Sequence, residues 1–237
     1  MNPVKIIFKR ELSAAFHSLS GYIVMVAFLG FTGFFTWFYG RDIFFVGQAS
    51  LATFFNIAYW TLFFFIPALT MRSIAEEKKT GTIETMLTKP LRASDWIMGK
   101  FWALTALIAV TLACTLPYYA TLAVIGDIDH RTVLCGYLGL LLMSGAYIGI
   151  GIFASSLTDN QIVAFLLTLL IGIFFHVLFQ IFSYSLSGWW SGLFDALNMR
   201  THYEAVVRGV VDSRDIIYFV SVALAGLLSA EAAVSKR

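Results

Sequence analysis

The sequence predicts an all-α integral membrane protein with six transmembrane helices and with both termini on the cytoplasmic side. Three observations support this prediction. Of the 237 residues, 59% are hydrophobic and only 13% are charged, which is about half the charged fraction of a typical soluble domain. Six long windows are almost free of charge and are suited to crossing a bilayer. The basic residues are also distributed unequally between the connecting segments, and this bias sets orientation.

The predicted spans are defined by their lack of charged side chains. A lysine, arginine or aspartate at the centre of a span would cost about 2.5–3.5 kcal/mol. The only readily titrating group inside the windows is His176, and the short last window ends at Glu231. Because the windows are continuously apolar, helices are expected, with kinks at Pro67 and Pro117. The spans cover residues 21–40, 52–71, 101–126, 133–157, 161–186 and 216–231.

The positions of the basic residues favour a cytoplasmic N-terminus. With that orientation, eleven of the sixteen lysines and arginines, including every lysine, fall on the cytoplasmic side. The opposite side receives five arginines, and three of them lie in one long segment where the bias is weaker. The protein is therefore predicted to have its N-terminus and its C-terminus inside.

Residues 3–18 are predicted to form an amphipathic helix that lies in the plane of the membrane interface. Lys5, Lys9 and Arg10 lie largely off its apolar stripe, and Pro3 suits the first turn. The alternative is a simple charged flank of the first span. The stripe itself recurs with helical spacing at Val4, Ile7, Phe8, Glu11, Leu12 and Ala15.

The segment 72–100 between the second and third spans is the longest polar connection on the cytoplasmic side. Gly81 is a suitable end for one short helix, and a second is predicted over residues 82–90. An exposed apolar face on this second helix would need a partner, which could be the membrane surface, the protein's own spans or a groove on a soluble protein. That face carries Ile83, Met86 and Leu87.

The fifth span carries a polar stripe. Polar groups at membrane depth usually face protein or a water-filled cavity. One interpretation is therefore a translocation path through the membrane, and the other is hydrogen bonding between helices. The stripe consists of His176, Gln180 and Ser183. In the fourth span, the spacing of Gly145 and Gly149 indicates close packing of helices.

The outer segment 187–215 is too polar to cross the membrane, yet it contains tryptophans and other apolar residues. This mixture predicts short re-entrant helices that dip into the outer interface before the last span. The charged residues of the segment form either an outer gate or a solvated face. They are Asp195, Arg200, Glu204, Arg208 and Asp212.

A family resemblance rests on several runs of sequence. The run PALTMRSIAEEKKTGTIETMLTKPLRASDWIMGKF, residues 67–101, contains the pattern E-E-x-x-x-G-T-x-E and closely resembles the corresponding region of type-2 ABC (ABC-2) exporter permeases. FKREL at 8–12 resembles the interfacial helix of that family. SSLTDNQIVAF at 155–165 resembles its connection between spans four and five, and HYEAVVRGVVDSRDIIYF at 202–219 resembles the start of its sixth span. The chain is most similar to the GldF-like permeases associated with gliding motility.

This resemblance implies the permease subunit of an ATP-driven exporter in the bacterial cytoplasmic (inner) membrane. It implies a second permease copy or a homologous permease, two copies of a separate ABC ATPase and an accessory extracytoplasmic protein as partners. In that family the segment after span two is a coupling helix that docks on the ATPase. The coupling residues implied here are Arg72, Glu76, Glu77, Thr82, Ile83, Glu84, Met86, Leu87 and Pro90.

Other functions are disfavoured by the composition and the motifs. The sequence lacks the G-x-x-x-x-G-K-[ST] phosphate-binding motif, so ATP and Mg²⁺ are expected on the partner ATPase and no cofactor or metal on this chain. The net charge of +2, without a continuous basic face, argues against nucleic acid. An intramembrane enzyme would need a nucleophile and a base, or metal ligands, at membrane depth. The remaining alternative is a non-transporting anchor or mechanotransmission subunit that recruits a soluble partner.

Overall fold

A computed structural model describes residues 3–38, 50–82 and 92–235, with the side chains of residues 19 and 20 excepted. Within these ranges all regular elements are helical. A π-helical segment, Phe174–Leu178, joins the helices Gln161–Ile173 and Phe179–Ser185. The α-helices are α1 (Pro3–His17), α2 (Leu19–Trp37), α3 (Ala52–Thr70), α4 (Ala75–Lys79), α5 (Ala93–Ala113), α6 (Leu116–Ile125), α7 (His130–Leu157), α8 (Gln161–Ile173), α9 (Phe179–Ser185), α10 (Trp189–Leu197), α11 (Met199–Val207) and α12 (Ser213–Ser235).

The helices account for the predicted spans. Among the described residues, five stretches are long and apolar enough to cross a membrane, and α2 supplies a sixth crossing if the bent pair α1 and α2 is counted as one span. The pair bends by 68°. The bend follows Ser18, whose side chain accepts a hydrogen bond from the Gly21 N–H at the start of α2. The five stretches are Ala52–Lys79, Ala93–Ile125, His130–Leu157, Gln161–Ser185 and Ser213–Ser235.

At two of the predicted spans, the helices extend beyond the predicted bounds. The third span, predicted over 101–126, begins as a helix at Ala93 and breaks at residues 114–115. Because Pro117 has no N–H to donate to the preceding turn, the break falls just before it, as the predicted kink required. The last span was predicted over 216–231, but α12 is longer at both ends. Its early start is explained by Asp212, whose carboxylate accepts the Arg214 N–H at 3.1 Å.

The central helix α7 makes its most extensive contacts with α12. A Cβ added to Gly149 would lie 2.7 Å from the carbonyl oxygen of Ala223, and one added to Gly226 would lie 2.5 Å from the carbonyl carbon of Gly149. The two backbones therefore touch, which only glycine permits at these positions. Gly145 instead faces the ring of Phe101 at 3.8 Å. Helix packing was thus predicted correctly, but only one of the two glycines makes this contact.

Candidate functional site

Helix α1 lies directly on the first turns of α5. Ile7 is buried, and a Cβ added to Gly99 would lie 2.6 Å from the Ile7 Cγ2 atom. The absence of a side chain at Gly99 therefore lets the two helices approach closely. This contact brings the polar residues that follow Ile7 next to Lys100, at the point where the third span begins.

Four charged side chains meet at this contact. Lys100 is only 3% exposed, and its Nζ lies 2.9 Å from Glu77 Oε1 and 3.4 Å from Glu11 Oε1. Arg10 Nη2 lies 2.6 Å from Glu11 Oε1 and 3.8 Å from Glu77 Oε1. We call these four residues the Lys100 cluster. Since a buried ammonium group is costly unless it is paired, the two carboxylates are what make the burial of Lys100 tolerable.

The charge state of Glu11 follows from its surroundings. Burial by itself raises the pKa of this carboxyl, but the ammonium of Lys100 and the guanidinium of Arg10 together outweigh burial and hold the pKa below its usual value. Glu11 is therefore ionised at neutral pH. Its contribution to stability is present at neutral pH and is lost only as the pH falls through the lowered pKa.

The short helix α4 is fixed to the end of α7. The Ser155 hydroxyl accepts hydrogen bonds from the N–H groups of Ile74 and Ala75, at 3.1 and 3.0 Å, and donates one to the Met71 carbonyl at 3.1 Å. One hydroxyl thus uses its full hydrogen-bonding capacity across the turn that precedes α4. Lys78 donates a further hydrogen bond to the Ser156 carbonyl, where a cation suits the C-terminal end of a helix.

In the middle of the bundle, the π-helical segment carries His176 into the protein core. His176 is fully buried, and its Nδ1 is hydrogen-bonded to the Tyr59 hydroxyl of α3. The rings of Phe63 and Tyr147 lie 5.1 and 5.2 Å from the imidazole ring. The wider π turn also changes the helical register between His176 and the residues that follow it.

A cavity of about 240 Å³ lies between the start of α3 and helix α11, at the end of the helices opposite the Lys100 cluster. The carboxylate of Glu204 binds two arginines there: Arg200 Nε lies 2.7 Å from its Oε1, and Arg208 Nη2 lies 3.3 Å from its Oε2. We call this the outer cavity. It is lined by Ala52, Phe55, Asn56, Tyr59, Trp60, Arg200, Tyr203, Glu204, Val207 and Arg208.

Residues 6–235 match the family model described as ABC-2 family transporter protein. The chain belongs to this family. The match covers nearly the whole length of the chain and includes both the Lys100 cluster and the outer cavity. A comparison with curated proteins gave no match.

Membership makes this ABC-2 protein a multi-pass membrane component of an ABC transporter, as its apolar helices also indicate. Proteins of this kind are permease subunits and are typically not catalytic. Membership also implies an ABC ATPase subunit as a partner. The predicted membership of the ABC-2 family is thereby confirmed, whereas the exporter direction and the likeness to GldF-like permeases stay predictions.

The predicted coupling residues of the ABC-2 protein fall into two groups. Glu77 belongs to the Lys100 cluster, whereas Arg72 and Glu76 are exposed beside it, and the exposed Thr82 donates a hydrogen bond to the Glu77 carbonyl at 3.3 Å. Gly81 has a φ of +70° and ends this stretch, as predicted. The role of all these residues in coupling stays a prediction. Outside the described residues lie Ile83, Glu84, Met86, Leu87 and Pro90.

The predicted polar stripe of the fifth span is only partly a set of interhelical contacts. At His176 the hydrogen bond shared with Tyr59 is a contact between helices, of the kind that the second interpretation describes. Gln180 and Ser183 are half-buried, and the Ser183 carbonyl accepts a hydrogen bond from Ser191. A role of the stripe in translocation stays a prediction.

The predicted gate residues of the outer segment also separate. Three of the five, namely Arg200, Glu204 and Arg208, meet at the outer cavity. Asp195 instead accepts a hydrogen bond from Thr201 at 3.0 Å, and Asp212 begins α12. The segment does form two short helices, α10 and α11. The gate itself stays a prediction.

The sequence did not reveal the roles of Lys100, at the centre of the Lys100 cluster, and of Ser155, which fixes α4 to α7. One signal was available, because Glu11 falls on the apolar stripe of α1. A carboxylate at such a position requires a buried cation as its partner. The identity of that partner, 89 residues further along the chain, could not be predicted from the spacing of residues within either helix.

Proposed function

We propose that this ABC-2 protein is the permease subunit of an ATP-driven exporter in the bacterial inner membrane. Two copies, or one copy and a homologous permease, would form the translocation path. Two ABC ATPase subunits would bind at the end of the helices that carries the Lys100 cluster. Family membership supports the permease role, and the observation that carries the coupling is that this cluster joins three separate elements.

The elements at this end of the bundle are connected by polar side chains. Lys100 in α5 binds Glu77 in α4 and Glu11 in α1. Ser155 and the Ser156 carbonyl bind α4 to the end of α7. The ends of the second, third and fourth spans are therefore joined to the interfacial helix through directional polar contacts.

Helices that are joined in this way would transmit a push from a partner to several spans. Residues 83–91 link the end of this α4 segment to the start of α5. A partner that pushes on this connection therefore acts on elements that are fixed to each other on both sides. Packed helices respond to such a push by moving as rigid bodies between two arrangements, since tightly packed interfaces do not deform continuously. Closing of the ATPases on ATP would thus tilt several spans together.

The exposed surface of the bundle supports assembly with a second permease. Only 22% of an 18-residue apolar window within Gln161–Ser185 is buried, against 61% of the corresponding window within His130–Leu157. The exposed side carries large apolar residues, including Ile162, Leu166 and Leu170. Such a surface is stable only against lipid or against another apolar protein surface, and a second permease copy would cover part of it.

The proposal is tested by co-purification of the full chain with the ABC ATPase subunit that its family membership implies. We expect Met86→Asp to abolish the association, because it places a charge on the predicted apolar face of residues 82–90. Thr85→Asp is the matched control, since it adds the same charge one residue away and off that face, and it should retain the ATPase. Retention of ATPase association and ATP-driven transport by Met86→Asp would contradict the proposal.

Two finer assignments are tested by the purified complex and by the cell. A complex that hydrolyses ATP in liposomes but moves no cargo would identify the anchor alternative instead of an exporter. On the resemblance to gliding-motility permeases, we propose gliding as the cellular process that this protein serves. Deletion of this chain would then abolish gliding in its own organism, and normal gliding would remove that assignment.

A further inference from the structure

The outer cavity contains unbalanced positive charge. Among the described residues that line it there are two arginines and one glutamate. Both oxygens of the Glu204 carboxylate are already engaged, one by Arg200 and the other by Arg208. Each guanidinium has five N–H donors, and a single shared carboxylate accepts few of them. The cavity therefore presents free donors and an excess of one positive charge.

Aromatic side chains form the apolar part of the same cavity. The guanidinium carbon of Arg200 lies 5.7 Å from the centre of the Trp60 ring, and the rings of Tyr59 and Tyr203 stack with their centres 4.7 Å apart. The Tyr59 hydroxyl bonds to His176, and the Tyr203 hydroxyl donates to the Phe55 carbonyl at 2.9 Å. Because both hydroxyl groups have partners elsewhere, the tyrosines offer the cavity mainly their rings.

The size of the cavity limits what it can hold. Its volume of about 240 Å³ is that of roughly eight water molecules in the liquid and is below the range of about 300–1,000 Å³ typical of sites that enclose a whole drug-sized ligand. It can accept a phosphate or carboxylate group together with the first carbons attached to it. The remainder of a long ligand would have to lie outside.

We propose that the outer cavity binds the anionic head group of an amphiphile. Its phosphate or carboxylate would lie on the guanidiniums of Arg200 and Arg208, which suit the planar, two-pronged recognition of such anions. Its first apolar carbons would contact Trp60 and Phe55, and its chain would leave toward the surrounding lipid. This inference goes beyond the proposed function and does not depend on an ATPase.

The test is native mass spectrometry of the purified full chain in a neutral detergent, with equal amounts of phosphatidylglycerol and phosphatidylcholine added. We expect the wild-type protein to retain one phosphatidylglycerol, with a preference of about tenfold or more over phosphatidylcholine. Charge-assisted hydrogen bonds to the head group are strong enough to give such a preference. Arg200→Gln combined with Arg208→Gln should remove the preference. Arg214→Gln, which neutralises an exposed arginine outside the cavity, should keep it.

Two further experiments keep both arginines in place. The second of them distinguishes a lipid head group from a free anion. Ala52→Leu fills the cavity without changing its charge and should weaken phosphatidylglycerol retention. Inorganic phosphate at millimolar concentration should fail to displace the lipid. Equal retention of the two lipids by the wild-type protein would overturn the proposal, and so would unchanged retention by the double variant. Displacement by inorganic phosphate would indicate a site for a free anion and would overturn the assignment to an amphiphile.

Discussion

The two ends of this ABC-2 protein use charged residues in opposite ways. At the Lys100 cluster, two cations and two carboxylates balance each other around a side chain that is 3% exposed. At the outer cavity, two arginines share one carboxylate, and Arg208 is 75% exposed. A balanced and buried cluster fixes elements to one another, whereas an unbalanced and open one has capacity left for a ligand. The contrast separates a structural joint from a binding site.

The largest effect is expected for Lys100→Met. Removal of the buried cation leaves the partly buried Glu11 and Glu77 next to each other, with only the more exposed Arg10 as a partner. Breaking a buried ion pair in this way destabilises a protein by about 3–5 kcal/mol. The check is the apparent melting temperature of the detergent-solubilised protein. Lys79→Met, at an exposed lysine nearby, is the control and should change the melting temperature little. If Lys100→Met and Lys79→Met lowered the melting temperature equally, the buried lysine would not differ from the exposed one in its contribution to stability.

A combined variant sharpens this prediction. Lys100→Met together with Glu11→Gln and Glu77→Gln removes the buried cation and both carboxylates, and it leaves only Arg10, whose side chain is 44% exposed. Replacement of buried ionic partners together is often neutral in stability. The triple variant should therefore recover much of the melting temperature lost in Lys100→Met. A triple variant less stable than Lys100→Met alone would mean that the carboxylates do not act through Lys100.

The smallest effect is expected for Arg208→Gln at the outer cavity. Its ion pair with Glu204 is mostly exposed, and pairs of that kind contribute about 0–1 kcal/mol. The melting temperature, measured as for Lys100→Met, should stay close to that of the wild-type protein. A loss as large as that of Lys100→Met would show that the outer cluster is a structural joint as well, and the comparison of the two ends would fail.

Features of the fold that depend on a few neighbouring residues could be predicted from the sequence. Long charge-free windows predicted the spans. Each charged residue adds its own free-energy cost of insertion into the membrane, so the cost of a window can be estimated from its residues alone. The break before Pro117 was predictable for the same reason, since the missing N–H belongs to that residue alone. The early start of α12 was missed although its cause is also local, because an aspartate just before a helix, here Asp212, is a helix-start signal in the sequence.

Pairings between distant residues were out of reach of sequence patterns. Glu11 and Lys100 lie on different helices, and neither helical pattern contains information on the other. His176 was recognised as unusual, but the π-helical turn that directs it toward Tyr59 has no simple signal in the sequence. The three gate residues that meet at the outer cavity follow the spacing of one helix, α11, and could therefore be grouped in advance.

The most direct test of the account is cross-linking from a single cysteine in the assembled complex. Cys114 and Cys135 would be replaced by alanine, and one cysteine introduced either at Thr85, in the predicted coupling helix, or at Ser213, which is exposed at the opposite end. The account predicts that Thr85→Cys gives a covalent adduct with the ABC ATPase and that Ser213→Cys gives none. An adduct from Ser213→Cys, or labelling of Thr85→Cys by an impermeant reagent added outside the cell, would contradict it.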